Sequence, residues 1–180
     1  MDKITERSIR TKSIVAFFRE ECRDVLQKLD VLYEATKNLR FEGKPSSGKN
    51  TKAIEEVIKY LKKKLFQHMQ LDEKLIFPFL EVHIPKLGPA LNFLRAERNE
   101  FKANLETFDS LFRKLKERKG DPEYCKIVEE LREKGIYLVG LMRNHIQAEN
   151  ESVYKMVDQQ LHGDEKKQLI GQCAHIKDDD

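Results

Sequence analysis

The sequence predicts an all-α protein, an antiparallel up-down-up-down four-helix bundle followed by a short C-terminal helix or tail. Three observations predict it. Apolar residues recur at steps of three and four along four long stretches, the pattern of helices with one core-facing stripe. Charged residues make up 36% of the chain against 39% hydrophobic, with 8 Gly and no Trp, a balance that suits amphipathic helices better than a sheet. A chain of 180 residues buries one sizeable core and is short for two. The bundle is therefore expected over residues 1–163, with 164–180 as the tail.

The first helix is expected from Lys12 to about Leu39, where Val15, Phe18, Cys22, Val25, Leu29 and Leu32 keep the period, and the polar stretch Gly43 to Asn50 breaks it. The second starts after Thr51, an N-cap residue, with Glu55 a turn later. It carries Ile54, Ile58, Leu61, Leu65, then His68 and Asp72, then Ile76 and Phe79, and Pro78 and Pro85 end it. The third opens near Pro89 with Leu91, Leu94, Arg98, Phe101, Leu105, Phe108 and Phe112, and stops at Gly120-Asp121-Pro122. The fourth runs from Pro122 through Ile127, Leu131, Leu138, Met142, His145, Glu149, Val153 and Met156 to His162-Gly163. Phe17, Phe18, Phe77, Phe79 and Phe108 read as core rather than as a cofactor box.

Several function classes drop out. The first thirty residues carry Asp2, Lys3, Glu6, Arg7, Arg10 and Lys12 and no signal-like apolar run, and nothing later approaches a membrane span. Cys22, Cys125 and Cys173 are odd in number and far apart, which is no disulfide framework and points to a reducing cytoplasm. The formal charge is +3, and the basic clusters Lys62-Lys63-Lys64 and Lys114 to Lys119 sit among acidic and apolar positions. They read as solvated helix faces, not a nucleic-acid surface.

Each stripe is interrupted near its middle: Cys22 in the first, His68 and Asp72 in the second, Arg98 in the third, His145 and Glu149 in the fourth. With a turn near residue 45, Cys22 lies 23 residues before it and His68 23 after. With turns near 84 and 120, Asp72 and Arg98 lie 12 and 14 residues from one, Arg98 and His145 22 and 25 from the other. At ~1.5 Å rise per residue these mismatches are about a helical turn or less, so all these residues can share one layer. Such a layer is costly to bury unless its members satisfy one another or bind metal. His-x-x-x-Asp and His-x-x-x-Glu set an imidazole and a carboxylate on one helix face a turn apart, where both can ligate one centre.

These residues resemble the hemerythrin-like, or HHE cation-binding, family over roughly residues 12 to 160. The segments that carry the resemblance are His68-Met-Gln-Leu-Asp72-Glu73-Lys-Leu-Ile-Phe77-Pro78 and His145-Ile-Gln-Ala-Glu149-Asn150. The resemblance implies a four-helix bundle around a carboxylate-bridged di-iron centre, with His68 and His145 as terminal ligands and Asp72 and Glu149 as bridges. Two departures alter that picture. Where the family usually has a first-helix histidine this chain has Glu21-Cys22-Arg23, so Cys22 is the candidate ligand there. Where the third helix usually has a histidine it has Glu97-Arg98-Asn99, and an arginine, always protonated, cannot ligate.

Three states of the centre remain open: one metal with the Arg98 guanidinium standing for the second cation, two metals with Glu97, Glu21 or solvent as added ligands, or none, with Arg98 paired to Asp72 and Glu149. Iron is the implied metal, as one or two ions, and a cysteine donor makes zinc credible as well. Around the centre, Arg98, Glu73, Glu97 and Glu21 are the expected supporting groups, Glu73 pointing away from it. The bland alternatives are a satisfied core histidine, a cysteine acting as a small hydrophobe, and an arginine reaching out to solvent. His83, His162, His175, Cys125 and Cys173 are expected at the surface, at a helix opening or in the tail. The implied function is a protein that binds or senses oxygen, nitric oxide or the metal itself, with a metal ion and a small diatomic ligand as partners. No separate general acid or substrate pocket is visible, which leaves a peroxide-, oxygen- or nitric-oxide-reducing oxidoreductase as one alternative and a metal-free interaction bundle as the other.

Overall fold

The periodic stretches fold as helices wherever the structure describes them. The computed structural model describes residues 14–39, 47–117 and 123–176, and every extended element among these is helical. Helix α1 is Ile14–Asn38. Helix α2 occupies 47–83, α3 is Gly88–Glu117, α4 occupies 124–160 and α5 is Gly163–Ile176. Helix α1 packs on both α2 and α4, and α3 packs along α4. Leu29, Leu32, Ile54, Leu61, Leu91, Phe101, Leu105, Phe108, Leu131 and Leu138 are wholly buried where those helices meet. Phe18, Phe77 and Phe79 join the same core, while the Phe17 side chain and the expected break at Gly120 to Pro122 lie outside the described residues. Helices α1 and α4 approach closely because Gly135 has no side chain: a Cβ there would stand 2.9 Å from Thr36 Cγ2 and 3.1 Å from Phe108 Cε2.

The second and fourth helices are not uniform. Wide π-helical turns, in which the hydrogen bond closes five residues apart, occur at Leu61–Leu65, Asp72–Ile76 and Glu149–Tyr154. This corrects the expectation that Pro78 ends the second helix. A helical proline cannot donate to the carbonyl four residues back and its ring crowds it. That carbonyl belongs to Lys74, inside the π turn, so the ladder is already opened and α2 runs on to His83. The helix also starts earlier than the expected Thr51, at Ser47.

The tail is more ordered than the sequence pattern implies. Helix α5 rests near the π turn Asp72–Ile76 of α2, and its Leu169 and Cys173 are buried in the common core. Cys173 is thus a packing residue; Cys125 is exposed. His83 is half-buried at the end of α2, stacked on Phe79 with its Nδ1 2.9 Å from the Phe79 carbonyl.

Candidate metal centre

The interruptions of the four stripes meet. Arg98 of α3, Asp72 of α2, and His145 and Glu149 of α4 are all buried, Arg98 completely. The two carboxylates open the π turns of their helices, which set them toward Arg98. Its Nη2 donates to Asp72 Oδ2 at 2.5 Å and also to Glu149 Oε1. Its Nε donates to His145 Nε2 at 3.2 Å and its Nη1 to the Met69 carbonyl at 3.4 Å. The guanidinium lies 4.5 Å from the centre of the Phe77 ring, a cation–π contact on its remaining face.

Since Arg98 Nε always carries its hydrogen, His145 Nε2 must accept from it, and Nδ1 then carries the proton toward Glu97 Oε2, 3.0 Å away. The 3.3 Å approach of His145 Nε2 to Glu149 Oε1 is therefore a contact without a proton between the atoms. Burial works to raise the Glu149 carboxyl, yet it is held below the usual carboxylate range; with the His145 lone pair turned to Arg98, the guanidinium is the partner responsible. Burial pushes Asp72 up against the pull of His68 and Arg98, so the two carboxyls that share one donor diverge, as like charges do.

The other half of the layer is built differently. His68 places Nδ1 2.8 Å from Glu21 Oε2 and Nε2 3.3 Å from Asp72 Oδ2. Burial alone would lower it, but Asp72 and Glu21 outweigh that and raise it to about 9. Nδ1 is hydrogen-bonded to Glu21, while Nε2 faces Asp72 as an ion-pair contact. The buried Arg98 thus lies between the two buried carboxylates, with the half-buried His68 between Asp72 and Glu21. Cys22 lies beside them, its thiol pushed to about 12 by burial and by the charge of Glu149; it keeps its proton. A cavity of ≈ 10 Å³ opens between Cys22, His68, Arg98, His145 and Glu149, room for about one water-sized sphere. Glu73 turns away and takes Lys102 at 3.3 Å.

One buried group in this half has no counterpart among the residues that the sequence pattern singles out. Tyr154 donates to Glu149 Oε2 at 3.4 Å and sits 3.9 Å from Cys22 Sγ, with Phe18 stacked on its ring. In a regular α-helix a residue five further on lies ~140° away around the axis. The π turn Glu149–Tyr154 removes most of that angle, so the contact could be found from the sequence only by knowing the turn.

Two metal ions do not fit this arrangement. Arg98 contacts the whole ligand set that the third- and fourth-helix half of a bridged pair would use: His145 and both carboxylates. As they stand, no three His, Cys, Asp or Glu side chains among the described residues are arranged to hold an ion. Cys22, His68 and Glu149 line the cavity and Asp72 stands next to His68, and these are the residues that could hold a single cation once Cys22 and His68 each give up a proton.

A family model described as the hemerythrin HHE cation binding domain matches residues 13–157. No curated protein matches the chain.

Proposed function

The chain belongs to the hemerythrin HHE cation-binding family, and from that membership we propose that it is a metal-binding protein with one cation position left, the other being filled by Arg98. The observation that carries this is the guanidinium itself, hydrogen-bonded to Asp72, Glu149 and His145. The remaining position draws on His68, Asp72, Glu149 and Cys22, with Glu21 and Glu97 holding the two histidines from outside. Iron is the first expectation and zinc the second, since a sulfur donor softens the site. An ion there would supply an open coordination position for a small neutral ligand such as oxygen or nitric oxide, making the chain a binding or sensing protein. The residues named hold and orient; none is placed to act as a separate general acid.

The four long helices are taken in up-down-up-down order, which the packing of α1 on α2 and α4 and of α3 on α4 supports. Among the described residues no helix is long and apolar enough to cross a membrane, and the three free thiols suit a reducing cytoplasm. A metal-independent bundle is the second reading. It is favoured by one observation: no buried side-chain nitrogen or oxygen among the described residues lacks a partner.

Metal content by mass spectrometry, after purification without chelator and after anaerobic ferrous or zinc loading, decides between them. We expect about one ion per chain, rising toward two in Arg98→His, because an imidazole can ligate where a guanidinium cannot. Two ions in the unaltered chain would overturn the substitution, and none after loading would leave the metal-independent bundle.

A further inference from the structure

The small cavity beside Arg98 is sealed from almost every side. Of its polar lining, Cys22, Arg98, His145 and Glu149 are at most 5% exposed, and the His68 side chain 12%. Glu21 differs: its side chain is 36% exposed, it lines the same cavity, and it grips His68 Nδ1 at 2.8 Å. The only described polar residues that touch both the cavity and solvent to a useful degree are therefore this hydrogen-bonded pair.

We propose that Glu21 is the access and charge-selecting residue of the centre: the Glu21–His68 pair is the door to the cavity, and it admits cations and small neutral molecules while turning away anions. The selectivity follows from charge. Behind Glu21 the Asp72 and Glu149 carboxylates are both held by Arg98 in the closed core, so the charge that an incoming particle meets first is that of the exposed Glu21. The negative carboxylate at the mouth attracts a divalent cation and repels an anion in a wall of low dielectric. This inference rests on the reading of the layer as a cation site, but its test needs no metal.

Cys22 lines the cavity behind the door and serves as the reporter. The native chain is treated at low ionic strength with aminoethyl methanethiosulfonate, a cation, or sulfonatoethyl methanethiosulfonate, an anion. Each forms a mixed disulfide and expels methanesulfinate, and peptide mass mapping reads the rate at Cys22. Taking the ratio of the two rates cancels any effect of Glu21 on the thiolate fraction, because both reagents need the same thiolate. We expect the cation-to-anion ratio at Cys22 to exceed that of the urea-unfolded chain by about tenfold, to fall severalfold in Glu21→Gln, and both rates to rise in Glu21→Ala. A ratio equal to that of the unfolded chain, or a ratio unmoved by Glu21→Gln, would overturn the proposal. Zinc uptake followed in parallel should slow in Glu21→Gln. Should the unaltered chain take up no zinc, the proposed function fails while the reagent ratio still decides the door.

Discussion

Arg98 has four hydrogen bonds in the core, to two carboxylates, an imidazole and a carbonyl. Arg98→Met fills a similar volume but leaves Asp72 and Glu149 with one buried cation between them. Breaking one side of a buried ion network costs about 3–5 kcal/mol, and urea denaturation of the variant should show a loss of that size. A loss under about 1 kcal/mol would mean that the two carboxyls simply take up protons and that the network matters little. For these side chains the sequence was informative for a physical reason. A charged residue inside an apolar stripe has nowhere to go but inward, so His68, Asp72, Arg98, His145 and Glu149 announced themselves. Tyr154 did not, since an aromatic ring on an apolar stripe looks like any other core residue and its hydroxyl partner depends on a local change of helix pitch.

That change of pitch belongs to the helices. In α2 and α4 the buried residues include runs spaced by four: Leu61, Leu65 and Met69; Asp72, Ile76 and Leu80; Glu149, Val153 and Val157. Four residues of α-helix advance ~40° beyond a full turn, so repeated fours drift off the core face. Each run begins with a π turn, which takes up one extra residue and cancels the drift. The steps of four stand in the sequence, but the period test that finds a helix tolerates them. Deleting the exposed Lys63, inside the π turn Leu61–Leu65, should return that turn to α geometry and leave both flanks facing the core. Deleting the exposed Ala103 from regular α3 should turn everything after it by ~100°. Thermal unfolding followed by circular dichroism should therefore stay cooperative in the first variant and not in the second; the reverse result would mean that the π turns do not cancel the drift.

For the whole molecule, two features outside the central layer set stability. Helix α5 lies beyond the matched domain yet buries Leu169 to 1% exposure, so Leu169→Ala should cost about 2 kcal/mol or more in the same single transition; a separate early transition would instead show α5 melting alone. Asp109, between α2 and α3, accepts from Lys62 at 2.8 Å and Arg113 at 2.6 Å. Burial would raise its carboxyl, but these hydrogen bonds lower it. A carboxyl lowered on folding stabilises fully above its unfolded value of about 3.9 and loses that contribution as pH falls through the lower folded value. Asp109→Asn should therefore lose about 1 kcal/mol at neutral pH and show a flatter fall in stability below about pH 4; an acid limb as steep as that of the parent would assign it to other carboxyls. The cation on the Arg98 side of the layer has a further consequence. It is synthesised with the chain, so this half of the core is complete when the chain folds, whatever the iron supply. A cell short of metal should still accumulate the folded bundle, and its abundance alone should not report metal status.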